Sequence, residues 1–252
     1  MEVHKHPHHV IHKKKWVEYL LEFFMLFLAV FLGFLAENQR ENNVEHNREK
    51  QYIQSFVEDL DADNDYLQET LISFNNKKKI ADSLIMLLGS ATKNEGINDI
   101  YFYFRNIVRY RPFNVNDRTI VQLRNAGGMR LILNKSVSDS MVSYYRDVDN
   151  IKYLDGLLIE RISELSNTTD KLLDGIDYGK LTDTTNNVIL RIKEPMKLRN
   201  TDDETINTAI ISVQRIKNIS ILIKLAVIKL KEKANITRHF ILKQYHLEMS
   251  DE

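Results

Sequence analysis

Apolar positions recur along most of this chain at alternating intervals of three and four residues, the spacing that places side chains on one face of an α-helix. The longest series runs Ile53, Val57, Leu60, Asn64, Leu67, Leu71, Phe74, Lys78, Ala81, Ile85 and Leu88. It predicts a helix of several heptads burying a single stripe, with Asn64 as a polar position in the seam that could fix register or partner. Gly89 to Gly96 reads as a turn, and IYFYFRNIVRY, 100 to 110, as a short apolar helix ended by Pro112. Asn114 or Asn116 can cap the next helix, which carries Ile120 and Leu123 and stops at Gly127-Gly128. A further helix starts near Ser136 and places Val137, Met141, Tyr144, Val148, Ile151, Leu154, Leu158, Ile162 and Leu165 at helical spacing. Residues 175–203, rich in Asn, Asp and Thr, read as a loop region with room for one short strand. Asp202 or Asp203 then caps a last long helix to about Leu247, whose segment ISILIKLAVIKL reads as the central helix of a bundle because Lys224 and Lys229 interrupt it.

One stretch breaks the pattern. From Trp16 to Ala36 the only charges are Glu18 and Glu22, and a helix of that length spans about 31 Å, close to a bilayer's hydrocarbon core. Phe23, Phe24, Phe27, Phe31 and Phe34 leave it no polar face, and a cut after Ala36 would put bulky Phe34 where a signal-peptide site needs a small residue. The segment is therefore expected to be an uncleaved membrane anchor. Lys5, Lys13, Lys14 and Lys15 precede it and only Arg40 closely follows it. That bias predicts a cytoplasmic N-terminus and a C-terminal domain in the periplasm, with the chain held once through the cell inner membrane.

The two glutamates differ in depth. Glu18 sits one turn from Lys14 at headgroup level. Glu22 lies deeper, and its helical face continues through Ala29, Gly33 and Ala36, a small-residue stripe that permits close approach of another helix. Facing a partner, Glu22 avoids the cost of a charge in lipid; snorkelling to the interface is the plainer alternative. No Pro or Gly separates Gly33 from Gly89, so the membrane helix can run on into a stalk. The expected architecture is all-α: a tail over 1–15, a transmembrane helix over 16–36, and an antiparallel helical bundle over 37–252 led by that stalk.

Composition narrows the function. Among 252 residues there are 8 Gly and 3 Pro, which suits long helices. Lys and Arg total 35 and so do Asp and Glu, so the electrostatic footprint of a nucleic-acid binder is absent. Without cysteine there is no disulfide, thiol nucleophile or thiolate metal site. DLDADND, 59 to 65, starts like a calcium loop, but Asn64 stands where the turn glycine belongs and Thr70 where the bidentate glutamate belongs, so a solvated helix face is the expectation. His4, His6, His8, His9 and His12 could hold a metal weakly but have no folded surroundings to orient them; His239 and His246 are a remoter pair. No phosphate-binding glycine loop, Ser/His/Asp order or paired catalytic carboxylates can be defended, so no enzyme activity, cofactor or metal is expected.

The stretch HKKKWVEYLLEFFMLFLAVFLGFLAENQRE, 12 to 41, resembles the opening of an uncharacterised Bacteroidetes family of membrane-anchored helical proteins, a domain of unknown function. TIVQLRNAGGMRLI, 119 to 132, followed by Tyr144 and Tyr145, resembles that family's interior signature. The resemblance implies a bitopic envelope protein with a helical soluble part and implies no activity. The leading expectation is a structural or interaction protein that oligomerises, or docks another membrane protein, through its stalk and membrane stripe. An energy-coupling component of stator type using Glu22, and a helical ectodomain that senses a ligand, are the alternatives.

Overall fold

The computed structural model describes residues 15–91, 96–183 and 185–247. Six α-helices lie among them: α1 (Trp16–Ser90), α2 (Ile97–Ile107), α3 (Arg118–Ala126), α4 (Lys135–Leu172), α5 (Gly175–Lys180) and α6 (Asp203–Tyr245). Two strands of two residues each, β1 (Thr182–Asp183) and β2 (Val188–Ile189), pair antiparallel inside the predicted loop region. The chain separates into two compact units, residues 1–51 and 52–252.

In the first unit, residues 15 to 43 are all exposed. Trp16 and Phe34 are 85% and 67% accessible and the large apolar residues between them are exposed as well, an apolar sleeve. Among the described residues, α1 is the one helix long and apolar enough to cross a membrane, by length and composition. Lys14, the neighbour expected for Glu18, lies outside the described residues; Glu18 Oε2 accepts the backbone N–H of Lys15 at 3.2 Å, closing the first turn.

The second unit is built on α4, α6 and the part of α1 from Tyr52 onward. Three contacts fix the direction of α6 against α1: Asp61 with Arg238, Gln68 with Lys231, and Asp82 with Lys217, rising on one helix as they fall on the other. Asn134–Gln244, Asp147–Lys233 and Glu164–Arg215 fix α6 antiparallel to α4 in the same way. It follows that α1 and α4 run parallel, so the bundle is not up-down throughout. Parallel neighbours need a crossover, and α2 with the extended segment 108–117 supplies it, running back down α1. The last helix is not central: it buries Ile216, Ser220, Ile223, Val227 and Leu230, while Leu222 and Leu225 on its outer side are about half exposed.

The buried stripe of α1 also differs from the apolar series that sequence reading picks out. Ile53, Val57, Leu60, Leu67, Phe74, Ala81 and Leu88 are buried as expected, but Asn64, Leu71, Lys78 and Ile85 are only half-buried. The interior positions are the ones before them: Asp63, Thr70, Lys77 and Leu84. Asp63 and Lys77 are polar because they face the backbone of the crossover rather than an apolar helix face, while the Thr70 hydroxyl donates to the Tyr66 carbonyl of its own helix.

The cap expected from the sequence is found at α6, and α4 starts one residue before Ser136, on a cap of its own. Asn134 accepts from the N–H groups of Ser136 and Val137 at the start of α4, and Asp202 from Thr205 at the start of α6. Gly127 and Gly128, at φ 128° and 81°, take the positive-φ turn after α3. Between α4 and α6, the Asn98 amide donates to the carbonyls of Ile192 and Glu194, both at 2.8 Å, tying the connecting loop to the start of α2.

Candidate functional site

The interior of the bundle holds a line of charged and phenolic side chains where α1 and α4 meet the crossover. At one end Asp59 and Asp63, one helical turn apart, are 0% and 1% exposed, so the solvated face expected for DLDADND holds only for Asp61 and Asp65. Asp59 Oδ2 accepts the N–H of Thr119 at 2.9 Å, capping α3 from another helix, while Arg118 Nη2 stands 3.2 Å from Asp59 Oδ1. Neither Asn114 nor Asn116 takes the N-cap position; Asn116 Oδ1 accepts only weakly from Arg118 N at 3.3 Å, and Asp117 occupies the cap without a side-chain bond. Asp63 Oδ1 accepts the N–H of Asn116 at 2.6 Å and its Oδ2 accepts the hydroxyl proton of Tyr144 at 2.5 Å. Burial pushes the Asp63 carboxyl up to about 6 against the pull of those two bonds. The same burial, with the two aspartates nearby, raises the phenols of Tyr144 and Tyr145, so both stay protonated.

At the other end lies a cleft of about 210 Å3 between α1, the crossover and α4. Tyr66, Thr70, Phe74 and Lys77 reach it from α1, Tyr110 and Phe113 from the crossover, and Asp155 and Leu158 from α4. Lys77, 8% exposed, donates to the carbonyls of Ile107 at 2.7 Å and Arg109 at 2.8 Å, satisfying the end of α2. With no carboxylate within 4 Å among the described residues, its ammonium is brought down to about 8 by burial. Asp155, 6% exposed, takes the hydroxyl proton of Tyr110 and the N–H of Phe113, the latter at 3.0 Å, both on Oδ2. Its Oδ1 is buried with no hydrogen-bond partner among the described residues. Tyr66 donates to the Pro112 carbonyl and accepts the Asn114 N–H at 2.8 Å, and Arg111 lies over its ring while reaching Glu69 at the cleft mouth. Pattern reading assigned Lys77 and Asp155 no role, because a lone Lys or Asp on a helix looks solvated; Asp155 lies one residue from the apolar series at Leu154, and that adjacency was the available signal.

The other sequence-derived positions stay apart from this interior. Glu22, Ala29, Gly33 and Ala36 lie in the exposed sleeve of the first unit, and a Cβ added at Gly33 would meet nothing within 4 Å. The seam residues Ile53, Val57, Leu60, Leu67 and Phe74 are buried within the chain's own core, with Phe56 packed on Tyr144 and Tyr145 beside them. The histidines at 4, 6, 8, 9 and 12 fall outside the described residues. His239 Nδ1 lies 2.8 Å from the Asn235 carbonyl on its own helix, and no group of three or more potential metal ligands occurs among the described residues. No family model, curated protein or solved structure matches the chain.

Proposed function

We propose that the protein is a single-pass membrane protein that carries a helical domain at the surface of the cell inner membrane, on the periplasmic side, and docks a partner through its membrane helix. The observation behind this reading is the sleeve from Trp16 to Ala36, exposed along its length. In water that surface would be a contiguous apolar patch far beyond what a soluble monomer exposes; in a bilayer it is solvated by lipid. Within the sleeve, Glu22, Ala29, Gly33 and Ala36 share one face that suits another helix, either a second copy or a different membrane protein. The seam of α1 from Ile53 to Phe74 serves the chain's own core, so partner docking is assigned to the membrane stripe rather than to the stalk. The kinship with membrane-anchored Bacteroidetes proteins belongs to the same proposal.

Cysteine crosslinking in native membranes tests it. Single cysteines along the stripe should give crosslinked species, and Gly33→Leu should remove them, because close backbone approach is what the small residues permit. Unchanged crosslinks in Gly33→Leu overturn the docking role, and recovery of the chain in the soluble fraction overturns the anchor. A second reading, a domain that binds a small ligand, is favoured by the cleft beside Lys77 and Asp155.

A further inference from the structure

We infer that the open cleft between the end of α2 and the β1–β2 hairpin binds a phosphate dianion, free or carried by a small molecule. The site rests neither on the membrane anchor nor on the buried charges beside Lys77. Arg105, Val108, Arg109, Thr182, Asn187 and Ile189 line this cleft of about 230 Å3. Both arginines are fixed to the hairpin: Arg105 Nε donates to Thr182 Oγ1 at 3.1 Å, and Arg109 Nη2 donates to the Asn187 carbonyl at 2.5 Å. Their spacing follows from the two elements that hold them. One helical turn separates the side chains by about 5–6 Å where they leave α2. Thr182 pairs with Ile189, so it lies diagonally across the ladder from Asn187, about 7–8 Å away. One tetrahedral oxyanion bridges a gap of that size, accepting at about 3 Å from each side.

Neither charge is compensated by the protein. Around the cleft, Asp177 is taken by Lys180 and Asp99 by Arg191, while Asp183 accepts the N–H groups of Thr185 and Asn186 in its own turn. Among the described residues no carboxylate pairs with Arg105 or Arg109. Nor are they needed at the helix end, where Lys77 already satisfies the carbonyls of Ile107 and Arg109. Each guanidinium has five N–H donors, and the hairpin takes one. Arg105 is half-buried and Arg109 exposed, so the donors left over are hydrated rather than sealed in the interior. The Thr182 hydroxyl accepts from Arg105 and donates to nothing among the described residues, which adds a third donor at the same wall. Two fixed guanidiniums match a phosphate, which carries about two negative charges at neutral pH, and their planar forks match its oxygens. A carboxylate brings a single charge and would leave one arginine unpaired. Val108 and Ile189 supply an apolar wall beside the donors, fit for an organic substituent on the phosphate.

The test is calorimetric titration of the full-length protein in a non-ionic detergent at neutral pH, with inorganic phosphate, glycerol 3-phosphate and acetate. Phosphate should bind with acetate roughly tenfold weaker, and Arg105→Gln and Arg109→Gln should each weaken phosphate roughly tenfold. Thr182→Val, which keeps both arginines, should weaken it roughly threefold. Arg161→Gln makes the same change of charge on α4 and should leave binding unaltered. Circular dichroism and the unfolding midpoint show whether each variant is folded. Tighter binding of glycerol 3-phosphate than of phosphate assigns the site to a phosphate monoester, and equal or weaker binding assigns it to free phosphate; either supports the inference. Acetate as tight as phosphate, unchanged binding in both arginine variants, or no binding of either phosphate overturns it.

Discussion

The Tyr144 hydroxyl donates to Asp63 Oδ2 at 2.5 Å, joining α4 to α1 inside the bundle, and the other oxygen of the same carboxyl holds the Asn116 N–H of the crossover. One side chain thus connects three segments that are distant in sequence. Tyr144→Phe should cost about 1–3 kcal/mol, since it leaves a buried acceptor without its donor. Chemical denaturation of wild type and variant measures this; a difference below about 0.5 kcal/mol would mean the bond adds nothing net.

The same carboxyl gives the bundle a pH dependence of unusual sign. Asp63 titrates at about 6 in the folded protein, above its ordinary 3.8, so the folded state holds a proton that the unfolded chain has released. Its contribution is fully present below about pH 4 and is lost as pH rises through 6, amounting to on the order of 2–3 kcal/mol. Carboxyls held below their ordinary value, such as Asp82 between Lys78 and Lys217, act in the opposite direction, so the measurement must be a difference. Wild type minus Asp63→Asn, followed from pH 4 to pH 7, should decline with pH. A flat difference would place Asp63 in its ordinary range.

Asp59 caps α3 from 60 residues away, accepting the Thr119 N–H. Removing a capping oxygen costs about 0.5–2 kcal/mol. In Asp59→Ala the loss should be local, appearing as faster amide exchange over Arg118–Ala126 with little change in α4 or α6. Protection of Thr119 equal to wild type would show that Arg118 and Asn116 suffice to hold the helix start.

Some of this could be read from the sequence and some could not, for a consistent physical reason. The cap Asp202 and the turn at Gly127-Gly128 are interactions between residues three to five apart, so the local pattern carries them. So does the all-helical character of the chain, which the two-residue strands barely interrupt. The α1 stripe was misplaced by one residue at Asn64, Leu71, Lys78 and Ile85, because apolar periodicity gives no credit to Asp63, Thr70 and Lys77. Asp63 and Lys77 are interior because the crossover presents backbone N–H and C=O groups to them, and a crossover presupposes that α1 and α4 are parallel. Tertiary topology of that kind leaves no periodic trace, and the Asp155 cleft was invisible for the same cause.

Lys77 offers the sharpest view of that coupling. Its ammonium satisfies two carbonyls at the end of α2 and is charged at neutral pH, yet burial has lowered it from 10.5 to about 8. The unfolded chain therefore holds a proton between pH 8 and 10.5 that the folded protein has released, and stability contributed by this group rises with pH through that window. Two opposed effects meet in Lys77→Met: the desolvation cost disappears, while two carbonyls lose a charge-assisted donor. Each lost donor of that kind is worth about 1.5–3 kcal/mol, so the carbonyl term prevails and the variant should be less stable at pH 7. The gap should widen from pH 8 to 10, as wild type gains and the variant does not. Chemical denaturation at pH 7 and pH 10 reads both effects, and a variant as stable as wild type at pH 7 would show that the end of α2 does not depend on Lys77.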